Sequence, residues 1–478
     1  MAAEHFSADE PLAINAWTGA VSPAAVPDAA GMATWALLRQ GSGPGPESTL
    51  MAPQEVAPWD WRHPRVGWGL VLPDELTLPA EARSRADDAP EPIRQLLAAR
   101  PGSPVLRWSA AHGNEVLLRY DTKGGYKPLA LVSDDGIAPD ALPLYLLIAA
   151  SPQQVPWSFQ YAANLRRYVG RLDLAGDALS NYVDALLGGW TGSPRDPRAP
   201  LVWSVDHGPR DITWLMDQAI SRKLIDAFDA DQDGDFARRV GLFGANATGA
   251  QLIEALREHH PALVITTSHG MTGPLHDAAL TAGQLGVPVD CAHRVLDVEA
   301  LCQAWSPDGA IWYSHACCAA GSDTRSQYAG LFDSTSEVMR VLDGVAAVCG
   351  ARVAPLPQRL LGVRRPLAAF VGHVEPTFNW TLRDPRTGQP LTHSVRQTLY
   401  DNLFASGGGR PLGWALSQVF KDAAISLALW AQAVRGFNKG LPGALDSALI
   451  NQLTALDRQH TVILGDPTVA LPALKANG

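Results

Sequence analysis

The chain has 478 residues and a mass of 51.0 kDa, about three times the common domain length, so several packed units or one large embellished α/β unit are expected. With 46% hydrophobic and 18% charged residues it is neither a disordered nor a collagen-like chain, and a net charge of −10 without any basic run disfavours nucleic acid and acidic membrane surfaces as partners. No stretch approaches the roughly 18 consecutive apolar residues of a membrane helix, and Met1 to Glu10 lacks the pattern of an export signal, so the expected compartment is the cytosol.

Of the 37 prolines, 14 precede residue 110. Proline removes ladder donors, so residues 1–104 are expected to form an irregular N-terminal module rather than a sheet. Turn formers mark tethers at Gly41 to Pro46 and at Ala86 to Pro92. From about residue 105 short apolar runs alternate with amphipathic stretches. Strands are predicted at 115–120, 129–133, 144–149, 168–172, 201–205, 239–243, 263–267, 310–314, 344–349, 368–372 and 461–464. Helices are predicted at 211–228, 248–259 and 412–434. Runs apolar on both faces suit a mostly parallel sheet covered by helices, an α/β layer architecture. The division expected along the chain is a supporting α/β subdomain over 105–240 and a second over 241–478.

The five cysteines lie at 291, 302, 317, 318 and 349. An odd, clustered set without a C-x-x-C pair makes a poor disulfide framework and a poor zinc site, so reduced thiols and no metal or cofactor are expected. The question becomes whether one thiol is chemical. Two strands of the buried type end in reactive residues. L-V-I-T-T (263–267) runs into S-H-G, placing His269 and Gly270 just past its end, and A-I-W-Y-S (310–314) runs into H-A-C-C-A-A-G-S-D, placing Cys317 in the same position. Open parallel sheets bind ligands outside the carboxyl ends of their strands, so neighbouring strands would bring imidazole and thiol into one crevice. A free thiol is mostly protonated at neutral pH and needs a base, and the amides of Gly270 and Cys317 are suited to hold an oxyanion. Acyl transfer is the chemistry this pattern fits.

The same residues carry a resemblance. H-G at one strand end, followed about 50 residues later by an apolar strand ending in A-C, resembles the caspase-like fold of clan CD cysteine peptidases. L-P-L-Y-L-L-I-A-A-S-P-Q-Q-V-P-W-S-F-Q-Y (142–161), R-Y-V-G-R-L (167–172), P-Q-R-L-L (357–361), F-V-G-H-V-E (370–375) and L-G-D-P (464–467) extend the similarity to bacterial gingipain-like members over about residues 105–470. The resemblance implies a cysteine endopeptidase working through a Cys317–His269 dyad and an acyl-enzyme. It also implies a protein or peptide substrate and a regulated effector role in a bacterial defence or cell-death system, in which the N-terminal module gates access or docks a regulatory partner. The chain departs from the caspase motif, since H-A-C-C-A-A-G replaces Q-A-C-R-G, and an aspartate preference does not carry over. Gingipain-type motifs place Gly three residues after the nucleophile, a spacing that Cys318 meets with Gly321; Cys317 is favoured because it follows Ala316, and Cys318 stands as the alternative nucleophile. The other reading is a catalytically inactive scaffold or binding protein.

Weaker signals have plain structural readings. His315 is expected to pack rather than act as base. A papain-like order exists in Cys317, His373 and Asn379 without the papain signature. Asp229 to Gly234 resembles a calcium loop but has Val240 where the bidentate Glu belongs. Glu258 to His260 is expected to end a helix before Pro261, and G-G-G-R-P-L-G (407–413) lacks the lysine of a phosphate loop. The 15 tryptophans are expected in the core. Asp277 and Asp323, the acids nearest the dyad in sequence, point weakly to a basic side chain beside the scissile bond.

Overall fold

The computed structural model describes residues 12–14, 16–17, 24–26, 56–405 and 409–474; the predicted tether at Gly41 to Pro46, and Gly407 and Gly408, lie outside them. In chain order the strands are β1 (Leu12–Ala13), β2 (Ala24–Ala25), β3 (Trp68–Pro73), β4 (Val105–Trp108), β5 (Val116–Tyr120), β6 (Tyr126–Ala130), β7 (Tyr145–Ala149) and β8 (Tyr168–Leu172). They continue with β9 (Leu201–Ser204), β10 (Val240–Phe243), β11 (Leu263–Thr267), β12 (Ile311–His315), β13 (Gly321–Ser322), β14 (Arg352–Val353), β15 (Ala369–His373) and β16 (Thr461–Gly465). Twelve of these form one sheet in the order β10-β9-β11-β12-β15-β16-β8-β7-β3-β4-β5-β6.

The sheet is two parallel groups joined back to back. β10, β9, β11, β12 and β15 run one way. β15 meets β16 antiparallel, and β16, β8, β7, β3 and β4 run the other way, with the antiparallel β5 and β6 closing the edge. The carboxyl ends of the two groups therefore open on opposite rims. Helices cover both faces, and the alternation along each central strand sorts side chains between two cores. Val264, Trp312, Phe370, Val462 and Leu464 belong to one cluster, and Leu263, Ile265, Ile311, Tyr313, Val371 and Ile463 to the other. Each such buried side chain contributes about 1.5–3 kcal/mol of burial free energy. Trp68, Trp157, Trp203, Trp312 and Trp380 are among the largest fully buried side chains, as expected for tryptophans used in packing.

Several elements differ from the sequence reading. β3 lies inside the expected irregular module yet sits between β7 and β4, with Pro73 at its last position where a missing donor costs least. β9 falls before residue 241 and β10 straddles it, and both belong to the sheet half that carries His269 and Cys317. The stretch at 344–349 is not a strand but the end of a helix, Glu337–Cys349, whose buried Val338, Met339, Val341, Leu342 and Val345 follow helical spacing. Ala86 to Pro92 is no tether: Ala86, at φ 58°, ends the helix Ala80–Arg85, and Pro90 opens the helix Glu91–Ala98. The helix Gly249–His259 stops with His260 in the left-handed region, ahead of Pro261. In the acidic turn at Asp229, that carboxylate pairs with Arg239 and Asp231 accepts the Asp235 amide. Among the described residues no helix is long and apolar enough to cross a membrane.

Candidate active site

β11 and β12 are adjacent and parallel, with Thr267 paired to His315. His269 and Cys317 thus stand two residues beyond paired ends on one rim. The two turns touch through backbone: a Cβ at Gly270 would fall 2.0 Å from the Cys317 carbonyl oxygen and 3.1 Å from its nitrogen, so only glycine permits the approach. Among the hydrogen bonds of the described residues, neither the Gly270 amide nor the Cys317 amide is a donor.

A third strand supplies a group the sequence reading did not name. Beyond β9, Asp211 caps the helix Ile212–Met216, its Oδ1 accepting from the Thr213 amide at 2.8 Å and hydroxyl at 2.6 Å. Its Oδ2 lies 2.9 Å from His269 Nε2. Burial alone would raise the Asp211 carboxyl, but the hydrogen bonds from His269 and Thr213 outweigh it and hold it at about 2. An ionised Asp211 favours a proton on His269 Nε2. His269 is fully buried, and its Nδ1 has no partner among the described residues.

Cys317 is also fully buried. Burial, reinforced by Cys318, whose sulfur lies 3.6 Å from its own, pushes the Cys317 thiol well above the ordinary range. The resting group is a neutral thiol, and no hydrogen bond links it to His269 among the described residues. Cys318 occupies the left-handed region at φ 55°, a strained state for a residue with a side chain. It lines a separate small cleft with Ser322, Asp323, Ser326 and Glu375.

Next to His269 stand two more imidazoles. His207 stacks on His269 at 5.5 Å between centroids and on His293 at 4.2 Å. Burial and the two neighbouring histidines lower His207 from its ordinary value. Residues 12–14, 16 and 17 lie on the same rim. The Ala13 amide donates to Asn379 Oδ1 at 3.2 Å, Ile14 bridges to Phe378, and the Trp17 amide donates to the Gly270 carbonyl at 3.3 Å. Ile14 and Ala16 pack in the apolar cluster that contains Cys317 and Cys318.

The remaining sequence candidates lie elsewhere. His315 donates or accepts at the Tyr313 hydroxyl, 3.0 Å away, and meets His373 edge-on at 4.7 Å. Burial, aided by His373, drives it well below the usual histidine range, which fits packing. His373 faces Asp457 at 3.7 Å and the Thr461 hydroxyl at 3.3 Å, while Asn379 holds Ala13, so Cys317, His373 and Asn379 do not form a papain-like set. Asp277 is used as the cap of the helix Ala278–Gln284. His207, Asp211 and His269 each offer one ligand atom within 4.8 Å of one another, a grouping able to hold a metal ion, which the sequence reading did not foresee. Comparison with known proteins finds no matching family model, no matching curated protein and no matching solved structure.

Proposed function

We propose that the chain is a cysteine endopeptidase of caspase-like type, with Cys317 as nucleophile and His269 as base, oriented by Asp211. The observation that carries this reading is the His269 ring: one nitrogen bonded to the Asp211 carboxylate, the other buried and without a partner among the described residues, at the end of the strand next to the one that carries the thiol. A buried acceptor left open costs about 1–3 kcal/mol, a cost that suits a proton acceptor waiting for its donor. The high pKa of the Cys317 thiol favours proton removal during attack over a standing thiolate–imidazolium pair.

In the proposed sequence the Cys317 thiol gives its proton to His269 Nδ1 as sulfur bonds to the peptide carbonyl carbon. The Gly270 and Cys317 amides receive the resulting oxyanion. His269 then protonates the departing amine as the C–N bond breaks. Water attacks the thioester, losing a proton to His269, and the carbon–sulfur bond breaks to release the acid and restore the thiol. One oxyanion donor is worth about 3 kcal/mol of barrier.

The scaffold reading is favoured by one observation, the complete burial of Cys317 without a hydrogen bond to His269. Iodoacetamide separates the two. A nucleophile labels selectively at Cys317 and loses that selectivity in His269→Ala, and a peptide library is cut by the native chain but not by Cys317→Ala. Slow, uniform labelling of the five thiols with no cleavage would leave the scaffold.

A further inference from the structure

We infer that the rim of β11, β12 and β15 is an extended-peptide track whose side-chain pocket, walled by His207, His269 and His293, takes a bulky aromatic residue, and that Trp17 occupies this pocket in the protein's own chain. The inference deepens the peptidase reading by naming its substrate class, and rests on that reading only for the chemical steps after binding.

The track is visible in how residues 12–14, 16 and 17 are held. In the sheet order, β12 lies between β11 and β15. The segment is fastened on the β15 side through Ala13 to Asn379 and Ile14 to Phe378, and on the β11 side through Trp17 to Gly270 and Met271. It therefore passes over the turn that carries Cys317. Main-chain bonds at both ends with side chains seated between them are the signature of an extended peptide added to a sheet rim. The bridge is parallel at Met271 and antiparallel at Phe378, and each of these contacts uses the segment's main chain.

Specificity then comes from the pocket. The Trp17 ring stacks on His293 at 4.8 Å and 11°, and lies 5.3 Å from His269 and 5.7 Å from His207. It is 9% exposed and shares an apolar cluster with Met271, Val287 and Val289. Of the three imidazoles around the ring, His293 lies nearly parallel to it and His207 and His269 are tilted by 33° and 34°, a set that rewards a planar ring and gives an aliphatic or charged side chain nothing equivalent. Ile14, three positions earlier, adds an apolar contact near the thiols.

The experiment uses the full chain carrying Trp17→Ala and Cys317→Ala, which empties the pocket and stops turnover. Binding of the synthetic peptide Leu-Ala-Ile-Asn-Ala-Trp is measured by calorimetry. The expected result is binding at least tenfold tighter than to the Cys317→Ala chain with Trp17 intact, and at least tenfold weaker when the peptide ends in Ala or when His293→Ala is added. Equal binding of the Trp and Ala peptides, or none in any variant, overturns the inference. Should Trp17→Ala fail to fold, His293→Ala in the native chain serves: iodoacetamide labelling of Cys317 is expected to accelerate about tenfold, and an unchanged rate overturns the inference. The two readings fail separately. Peptide binding without hydrolysis by the Cys317-bearing chain removes the peptidase alone, whereas library cleavage without aromatic preference removes the pocket alone.

Discussion

In the sheet half built on β16, β8, β7, β3 and β4, buried arginines are each anchored by several hydrogen bonds. Arg107 reaches the Pro73 and Arg83 carbonyls and both oxygens of Asp88; Arg171 reaches Gln160, the Ala150 carbonyl and the Pro156 carbonyl; Arg167 reaches three carbonyls and Asp135. In the half built on β9, β11, β12 and β15, His207, His269, His315 and His373 each keep a ring nitrogen without a partner among the described residues. Arginine networks of this kind fix a shape, whereas ring nitrogens left without partners on a common rim are costly unless something binds or reacts there. The contrast fits the proposal that one half supports and the other reacts.

The sharpest way to break this comparison is at the thiol. Cys317→Ala is expected to lower kcat/KM for peptide hydrolysis by at least about 10³ with an unchanged melting curve, while Cys318→Ala stays within about threefold. The reverse pattern would transfer the role to Cys318. Asp211→Asn is expected to cost about 10² in kcat, read in steady-state kinetics, because the neutral amide no longer enforces the Nε2 proton. The sign of the acid dependence comes from the lowered carboxyl. Asp211 binds its proton less readily folded, at about 2, than at the reference 3.8, so its stabilisation is complete above pH 3.8 and lost as pH falls through about 2. Acid titration of thermal stability should show this loss in the native chain and not in Asp211→Asn.

On the supporting side, Arg171→Met is expected to destabilise the fold by about 3 kcal/mol in denaturant unfolding, through carbonyls left without donors, while kcat of the folded fraction is unchanged. A selective loss of kcat would mean that the halves are not divided as described. The smallest expected effect is that of a chelator, which should leave hydrolysis within about twofold. Loss of activity on chelation, restored by a divalent metal, would move the chemistry to His207, Asp211 and His269.

What was readable in the sequence was governed by burial. β11 and β12 are apolar on both faces, so their ends, and with them His269 and Cys317, could be placed within a residue. β3 was hidden because its run ends in proline within a proline-rich stretch, and the helix Glu337–Cys349 because its last residues, taken alone, read as a continuous apolar run. Asp211 lies 58 positions from His269, and no local spacing links them. Yet the rule that picked out the other two strand ends applies to β9 as well, whose L-V-W-S runs into V-D-H-G-P-R-D. Trp17 gave no local signal at all, since its partners come from three separate turns.

β16 has a consequence for how the molecule is made. It inserts between β15 and β8, and Gln160, on the helix Trp157–Asn164, donates to the carbonyl of Ile463, 303 positions away. During synthesis β8 must therefore wait, with one ladder of amides and carbonyls open, until the distant β16 has emerged. Such long-range closure is slow, and an uncapped strand edge invites pairing with other chains. Late arrival of a single central strand thus leaves the nascent protein with an edge open to aggregation until that strand docks.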